Sequence, residues 1–375
     1  MFSVKKVLLV ATVQSHICQF HKPLVEVLHE KGVEVHVAAK DNLSEKNGLK
    51  LDFVEKVFDV PFSRSPKSKD NLKALKQLKQ IINTENYDLI QCNTPMGGII
   101  TRLAAKKARR KGTKVVYMAH GFHFYKGASK KAWMVFYPIE KHFAKKCDTL
   151  ITITKEDYEL ASKKFKTNVV RMHGVGVSEE RYHVVDENTY KVLRENENLK
   201  QDDFVILCTG ELNKNKNQST LINAVSEIKD KIPNLKVLLA GNGPLQQTLT
   251  EKVKELGLEE TVKFLGYRTD LEKVVPITDL IVSCSHREGL PLNIIEAMLC
   301  KKPIIASINR GHKELIEDGE NGYLFNPTDY QTLSKKILSV FSGEEAKEMG
   351  EKAYEKAKDY TVNSVKEEIK EIYKI

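Results

Sequence analysis

Two glutamates with seven residues between them, Glu288 and Glu296, flank a possible helix start. Residues 278–282 before them end in an apolar run that predicts a short strand, Gly289 suits a turn, and Pro291 suits the first helical position because its missing N–H would be unpaired there. A strand, a glycine turn and a helix N-terminus together form an anion site, because free N–H groups and the helix dipole point at one place. Carboxylates beside an anion would repel it, so these two are better suited to accept hydrogen bonds from sugar hydroxyls. The pattern predicts a diphosphate with a sugar on each side, which is a nucleotide-sugar.

Three more loops in the second half directly follow predicted strands, where ligands of open α/β sheets bind. The first has a glycine turn and Lys216 at a possible helix start, which suits phosphate. The glycines of the second are explained equally well by turns of positive φ. In the third, the backbone could hydrogen-bond a base or Arg268 could stack on it, although a solvated arginine fits as well. The donor-site candidates from these loops are Gly210, Glu211, Lys216, Asn242, Gly266, Tyr267 and Arg268.

The stretch from Glu288 to Met298 resembles the donor-site motif of retaining glycosyltransferases of family 4, E-G-x-P-x-x-x-x-E-A-M. Eleven positions with Gly, Pro, Ala and Met in place are specific, and the similarity extends over nearly all of residues 204–325. One position departs from the family, because its diphosphate-binding arginine is Glu211 here, while its lysine remains as Lys216. Lys214, His286 or Arg287 could substitute, and a degenerate, inactive site is the alternative.

The resemblance implies roles for the site residues. Glu296 would accept hydrogen bonds from the ribose and Glu288 from the donor sugar, while Lys216 and helix amides would hold the diphosphate and stabilise it as the leaving group. The acceptor would attack from the face that the diphosphate leaves, and the departing oxygen would take its proton. No metal and no cofactor are expected. The remaining donor-binding candidates are Gly289, Leu290, Pro291 and Leu292.

The first half is less typical of the family. Many members carry a glycine pair after the first strand, where this chain has residues 12–21 without glycine. Members often place a histidine after the fifth strand, where it reaches the donor sugar, and His120 is the catalytic candidate here. His123 competes for this role, and packing or capping would explain either histidine. The acceptor-side candidates are Gln14, His16, Asn93 and His123.

Predicted strands and helices alternate along both halves of the chain, and these elements must position the candidate residues. The alternation indicates an α/β class with two parallel, doubly wound sheets. Polar sequence at residues 173–200 predicts a linker. With the family resemblance, this implies the GT-B architecture, two Rossmann-like domains facing a cleft. The domains are expected at 1–185, on the acceptor side, and at 186–356, which binds the nucleotide-sugar, with a C-terminal helix at 357–375 packing back on the first. The predicted strands are 7–12, 33–39, 53–60, 87–92, 115–119, 149–152, 204–208, 235–240, 262–264, 280–282, 304–306 and 323–325, and the first-half helices are 20–31, 71–83, 98–111 and 130–146.

The composition of the chain restricts the class of protein and the cellular compartment that are expected. No apolar run approaches the length of a membrane span, and the apolar N-terminal run is too short for a signal peptide. The 6 cysteines, with no C-x-x-C, predict free thiols in a reducing cytoplasm and no metal site. Residues 1–185 hold 33 Lys and Arg against 18 Asp and Glu, a net charge of +15, while residues 186–375 have a net charge of −5. The basic half points to an anionic partner.

The predicted function is transfer of a hexose or N-acetylhexosamine from a UDP-sugar to a lipid-linked glycan, in capsule or exopolysaccharide synthesis. Basic and aromatic residues at 101–150 predict reversible binding to the inner face of the plasma membrane. A GT-B epimerase, a phosphorylase and a transferase with a soluble acceptor are alternatives. A nucleic-acid-binding protein is a remote one, because the basic residues form no recognised binding motif, and no nucleic-acid partner is expected.

Overall fold

The computed structural model describes residues 4–45, 48–343 and 345–374, which form two units. The first unit combines Met1–Gly176 with Val362–Ile375, and the second is Val177–Thr361. The chain thus enters the second unit before residue 185, where the sequence predicts the domain border, and returns to the first unit near the predicted start of the C-terminal helix.

The first unit contains a seven-stranded parallel sheet of order β3-β2-β1-β4-β5-β6-β7. The six predicted strands are all present within a few residues of their predicted bounds. The seventh was missed because it is a short edge strand whose residues are half-buried or exposed and therefore lack an apolar run. The strands are β1 Lys6–Val13, β2 Glu34–Lys40, β3 Lys56–Asp59, β4 Leu89–Asn93, β5 Lys114–Ala119, β6 Thr149–Thr152 and β7 Asn168–Arg171.

The helices of the first unit correct the sequence analysis at three points. A helix, α1, occupies residues 14–20, where only a loop was expected, and the predicted helix at 20–31 starts later, with a proline in its first turn. The predicted helix at 98–111 is two helices. The helices are α1 Gln14–Phe20, α2 Lys22–Glu30, α3 Asp70–Glu85, α4 Pro95–Ala104, α5 Lys106–Arg110, α6 Lys130–Ala144 and α7 Lys155–Lys164.

The second unit contains a six-stranded parallel sheet of order β10-β9-β8-β11-β12-β13. All six of its strands were predicted. The strands are β8 Phe204–Thr209, β9 Leu235–Ala240, β10 Val262–Gly266, β11 Leu280–Ser283, β12 Ile304–Ser307 and β13 Tyr323–Phe325. The helices are α8 Glu187–Asn196, α9 Gln218–Ile228, α10 Gln246–Glu255, α11 Leu271–Val274, α12 Leu292–Leu299, α13 Arg310–Leu315, α14 Tyr330–Ser342 and α15 Glu345–Ala357.

The predicted linker at 173–200 is wrong in its second half, where α8 forms. Asp186 caps this helix by accepting hydrogen bonds from the backbone N–H groups of Asn188 and Thr189, both at 3.0 Å. Arg194, near its end, is almost fully buried and donates to the carboxylate of Asp279 at 2.8 Å. The helix was missed because its sequence is polar apart from a few positions and its anchor is an ion pair.

The C-terminal helix, α16 Val362–Tyr373, belongs to the first unit and packs on α2, which confirms its predicted return. Lys366 donates to Glu26 at 2.7 Å. Glu368 accepts from His173, and the buried Tyr373 hydroxyl donates to Gln91 of β4. The helix is therefore tied both to the surface and to the sheet of the first unit.

All six cysteines are free thiols, as predicted, and five of them are buried. Burial raises the pKa of the Cys92, Cys208 and Cys300 thiols to about 12. A thiol that stays protonated is a poor nucleophile, so these cysteines serve packing.

Candidate active site

Lys216 and Glu288, 72 positions apart in the chain, form an ion pair in the second unit. Lys216 lies just before α9, at the end of the loop that follows β8, and its Nζ donates to Glu288 Oε1 at 2.7 Å. Gly210 makes this arrangement possible, because a Cβ at that position would lie 2.9 Å from the Lys216 Cε, and its φ of +139° suits glycine. The structure thus brings together two of the three predicted catalytic residues.

The two loops that carry this ion pair are bonded to each other through their backbones. The His286 N–H donates to the Asn215 carbonyl at 2.8 Å, and the Asn215 side chain donates to the Arg287 carbonyl at 3.0 Å. Asn293, in the first turn of α12, donates to the Thr209 hydroxyl at 3.1 Å. These bonds fix the Glu288 loop against the Lys216 loop before any ligand binds.

The start of α12 lies next to this ion pair in the chain. Pro291 stands one position before the helix rather than inside it. The first N–H groups of a helix have no intrahelical acceptor and carry a partial positive charge. Close packing supports the loop here, because Gly311 of α13 lies so near the Gly289 carbonyl and Glu288 that a Cβ would collide with them. A cation, its partner carboxylate and the first turn of α12 therefore lie on neighbouring segments, and binding of a nucleotide-sugar there stays a prediction.

Glu296, on α12, receives a partner that the sequence analysis missed. Tyr182 lies beside its carboxylate, and the nearby Arg181 pairs with Glu272 at 2.8 Å. Burial raises the pKa of Glu296 to about 7, although the Tyr182 hydroxyl and the Arg181 charge both oppose this shift. Tyr182 lies within the predicted linker, where nothing in the local sequence marks it as a site residue.

His312, on α13, is a second site residue without a predicted role. It is fully buried, and its Nδ1 lies 2.6 Å from the Ser307 carbonyl, to which it donates. Burial lowers the pKa of His312 to about 4, with Glu288 and Lys216 close enough to influence it. Its buried Nε2 has no partner among the described residues. A neutral imidazole with a free acceptor nitrogen can receive a hydrogen bond from a hydroxyl.

Four other donor-site candidates lie at the end of β10 or on the loops that follow β9 and β10. Asn242 and Tyr267 are exposed, and Gly266 has the positive φ of a turn. Arg268 is already engaged, since it donates to Asp270 and to Glu197, each at 2.7 Å. Base stacking by Arg268 stays a prediction, and Tyr267, whose exposed fraction is 61%, offers an unobstructed ring.

Glu211, at the position of the family's arginine, is exposed and accepts from the Asn213 side chain at 2.9 Å. We expect Glu211→Arg to fold normally, because an exposed substitution that breaks one hydrogen bond should change stability by only about 0.5 kcal/mol. A second cation near Lys216 should lower the donor KM several-fold. The measurement is donor KM beside a thermal melt, with Glu211→Gln as the control that removes the charge alone. An unchanged or higher KM for the arginine variant would contradict this prediction.

Three histidines meet in the first unit. His16 lies on α1, His21 between α1 and α2, and His120 directly after β5. The Nε2 atoms of His16 and His120 are 3.3 Å apart, and ring nitrogens of all three lie within 4.8 Å of one another. Burial lowers the pKa of His120 to about 4, and the pKa values of His16 and His21 also fall well below their usual range. The cluster is therefore neutral at pH 7.

A cavity of about 710 Å³ adjoins His16 in the same unit. Its wall is mostly apolar, and two acceptor-side candidates, His16 and His123, line it. The other two are buried: Asn93 donates to the Val10 carbonyl at 3.2 Å, and Gln14 is 5% exposed. Their acceptor role stays a prediction. The apolar part of the wall includes Val13, Phe20, Met96, Ile99, Val135, Phe136 and Ile139.

Comparison with known proteins shows which protein families and which fold this chain resembles. Residues 190–357 match the family "Glycosyl transferases group 1", and residues 6–154 match "Glycosyl transferase 4-like". HepE from Anabaena, solved in complex with UDP and glucose, superimposes with a TM-score of 0.77 over 99% of both chains at 22% identity, which establishes the GT-B fold.

One curated relative has a higher sequence identity to this chain than HepE has. EpsD of Bacillus subtilis (strain 168), which carries a glycosyltransferase name, is 40% identical over 372 residues, covering 98% of this chain and 96% of the relative. An Escherichia coli enzyme named UDP-Gal:alpha-D-GlcNAc-diphosphoundecaprenol alpha-1,3-galactosyltransferase is 28% identical over 301 residues, covering 77% and 76% of the two chains. The chain belongs to the glycosyltransferases of family 4, as the sequence predicts.

Proposed function

We propose that this glycosyltransferase moves a hexose or N-acetylhexosamine from a UDP-sugar to a lipid-linked glycan, with retention of the anomeric configuration, in the synthesis of a cell-surface polysaccharide. The observation that carries the proposal is the Lys216–Glu288 ion pair at 2.7 Å, followed in the chain by the N-terminus of α12 and by Glu296. This set offers a cation and backbone amides to a diphosphate, and carboxylates to the sugars on its two sides.

The donor assignment rests on this chemistry and on the names of relatives. A UDP-galactose donor is part of the name of the Escherichia coli relative, and HepE was solved with UDP and glucose. In this chain Glu296 would accept from the ribose hydroxyls and Glu288 from the donor sugar. A diphosphate approaching Lys216 would compete with Glu288 for the ammonium group and release that carboxylate to the sugar.

Catalysis would then consist of stabilising the leaving group and positioning the acceptor. Lys216 and the amides of α12 would take up the charge that develops on the diphosphate. The diphosphate oxygen would accept the proton of the attacking hydroxyl, so no protein base is required. His120, neutral at pH 7, would donate a hydrogen bond to the donor sugar without adding charge.

The acceptor assignment is supported by the cavity beside His16. The lining of this cavity combines many apolar side chains with Arg64, which suits a lipid with an anionic headgroup. Diphosphoundecaprenol is part of the acceptor name of the Escherichia coli relative. A lipid-linked glycan would satisfy both features, whereas a soluble acceptor would leave the apolar wall unused.

The test is release of UDP from a panel of UDP-sugars, with and without an undecaprenyl-diphosphate glycan, after a thermal-shift screen has selected the donors that stabilise the protein. Net UDP release that requires the lipid-linked glycan supports the proposal. Interconversion of two UDP-sugars without net UDP would identify an epimerase instead, and equal release with a free oligosaccharide would remove the lipid from the acceptor.

We expect the transfer activity to survive EDTA. The diphosphate charge is assigned to Lys216 and to the amides of α12, which need no divalent ion. The measurement is the UDP release rate after chelation and desalting, with a known metal-dependent glycosyltransferase treated in parallel. Loss of activity that Mg²⁺ or Mn²⁺ restores would show that an ion replaces the family's arginine at Glu211.

A basic surface of the first unit supports a place at an anionic membrane. Lys106, Arg109, Arg110 and Lys146 line a groove of about 540 Å³, in which Asp148 pairs with Arg109 at 2.9 Å. Among the described residues, no helix is long and apolar enough to cross a membrane.

Some of the basic and aromatic residues at 101–150 that the sequence analysis assigned to the membrane are not available for this role in the structure. Arg102 is buried, stacks on Tyr117 and pairs with Glu140 at 3.4 Å, so it cannot serve a membrane. Trp133 and Tyr137 of α6 pack against the core. The exposed apolar residues of this helix are Met134, Val135, Phe136 and Ile139.

We expect the protein to co-sediment with phosphatidylglycerol vesicles at low salt and to be released at high salt, at about 1 kcal/mol per cation near the leaflet. The triple variant Lys106→Glu, Lys107→Glu, Arg110→Glu should lose this binding, since all three side chains are exposed. The matched control reverses three exposed lysines of the second unit, Lys231, Lys254 and Lys347, and should keep it. Equal loss in both triple variants would reduce the effect to net charge.

A further inference from the structure

We propose that His16, His21 and His120 form a binding site for a transition-metal ion of the zinc type, and that the bound ion holds His120 away from the donor sugar. The site is separate from the diphosphate chemistry, which is assigned to residues of the other unit. The ion would be an inhibitor and not a cofactor. The inhibitory part rests on the proposed function, while metal binding does not.

The spacing of the ring nitrogens fits such an ion. Zn–N bonds of about 2.05 Å in a tetrahedron place neighbouring nitrogens roughly 3.4 Å apart. The Nε2 atoms of His16 and His120 are 3.3 Å apart, so one edge of the tetrahedron already exists. The third nitrogen, from His21, lies within 4.8 Å of the other two. A small side-chain movement would complete three ligands.

His21 supplies an independent indication of a ligand. Its ring is buried at 2% exposure, and its Nε2 has no hydrogen-bond partner among the described residues. A buried nitrogen without a partner is costly, since desolvation is not repaid. A metal ion in the cluster would supply the missing partner.

The chemistry of the cluster selects the kind of metal. A metal binds the neutral form of an imidazole, and the His21 Nε2, which has no hydrogen-bond partner among the described residues, is available for such a bond. Among divalent ions, imidazole favours zinc, copper and nickel over magnesium or calcium. Three protein ligands leave a fourth position for water, and His16 also lines the cavity, which gives solvent a route to the ion.

Two features indicate a site that exchanges its metal. Arg64 lies close enough to His16 to lower its pKa, and the same positive charge would oppose a cation. Among the described residues, no carboxylate accepts from any of the three rings, and such second partners usually strengthen metal binding. Reversible occupancy is what regulation by metal availability requires.

The experiment uses tag-free full-length protein, treated with EDTA and desalted. Co²⁺ is titrated while the visible absorption of tetrahedral cobalt is followed, and Zn²⁺ is then added to displace it. We expect saturable binding with a stoichiometry near one. His21→Leu, which keeps the apolar volume, should weaken the affinity at least roughly tenfold. His183→Ala changes an exposed histidine of the second unit and should bind like wild type.

Because His21 is buried, His16→Gln serves as a second variant at a partly exposed position. Absence of the cobalt spectrum, or its full retention in both variants, would overturn the metal site. The absorption needs no turnover, so this result is independent of the proposed function. In the UDP-release assay, Zn²⁺ should inhibit wild type and inhibit His21→Leu much less, each relative to its own zinc-free rate. Binding of Zn²⁺ without inhibition would overturn the withdrawal of His120.

Discussion

Lys216→Ala is expected to lower kcat/KM for the donor by roughly 30- to 1,000-fold, which corresponds to about 2–4 kcal/mol of lost transition-state stabilisation. The ammonium group is the cation assigned to the leaving diphosphate. The ion pair adds a second effect, because removing Lys216 leaves the Glu288 carboxylate, whose side chain is 15% exposed, without its cation. An unpaired carboxylate would then repel the diphosphate. The protein should still fold, since the Lys216 side chain is 23% exposed and its loss makes no core cavity.

The control for this variant is Lys231→Ala, which removes an exposed lysine of the second unit that has no assigned role in the site. It should retain most activity, and a thermal melt should show that both variants are folded. The double variant Lys216→Met, Glu288→Gln should lose less transition-state stabilisation than the sum of the losses in the single variants Lys216→Met and Glu288→Gln. The reason is that the two residues act as a pair. Near-wild-type kcat/KM in Lys216→Ala would remove the lysine from the site, and additive losses would remove its coupling to Glu288.

The sheets could be predicted because their strands are apolar runs bounded by polar turns. Helix ends were less predictable. Between Phe20 and Lys22 the 3.6-residue pattern continues although the helix does not, and only Pro23, in the first turn of α2, marks the restart. Between Ala104 and Lys106, α4 gives way to α5 without any proline or glycine. Such a break depends on how the helices pack on the sheet. The helical periodicity of apolar residues in the sequence does not predict it.

The donor site was predictable where its residues are close in the chain and unpredictable where tertiary contacts supply them. Glu288, Pro291 and Glu296 lie within nine positions, so their spacing alone carries the motif. Tyr182 reaches Glu296 from more than a hundred positions away. His16 and His120 are 104 positions apart and meet only because β1 and β5, which precede them, end at the same edge of one parallel sheet.

The ion-pair partners of charged residues were equally unpredictable from the sequence. Arg268 and Arg102 were assigned to a ligand and to a membrane on the basis of residue type. In the fold, an acid distant in sequence pairs with each of them, Glu197 with Arg268 and Glu140 with Arg102, and Arg268 also bonds to the neighbouring Asp270. A sequence shows that a cation is present, but only the tertiary structure shows whether its charge is already used.

The second large effect concerns Glu296, whose side chain is half-buried beside Tyr182. Glu296→Gln is expected to lower donor kcat/KM roughly 10- to 100-fold, because a hydrogen bond to a charged group contributes about 1.5–3 kcal/mol. The ionised carboxylate is the stronger acceptor for ribose hydroxyls. Because the pKa of Glu296 is raised to about 7, the wild-type donor KM should fall as pH rises from 6 to 8, and the KM of the glutamine variant should not.

The stability of the wild type should also fall as pH rises, although its affinity for the donor increases. The folded pKa of Glu296, about 7, lies above the 4.5 of an ordinary glutamate, so the folded state binds the extra proton between these values. The stabilising contribution of the protonated carboxyl is complete below pH 4.5 and is lost as pH rises through 7. Relative to wild type, Glu296→Gln should therefore gain stability with increasing pH, by up to roughly 3 kcal/mol at pH 8.

The measurement for both effects is a pair of profiles between pH 5 and 8, one of donor KM and one of melting temperature, for wild type and Glu296→Gln. The exposed Glu259→Gln is the matched control, and its melting temperature should differ from wild type by a constant amount. A constant difference for Glu296→Gln as well would place its carboxyl in water. A pH-dependent stability difference without a pH-dependent KM would leave Glu296 buried but outside the donor site. A donor KM and a melting temperature of the wild type that both fall as pH rises, each relative to the glutamine variant, are the result that a partly buried ribose-binding carboxylate requires.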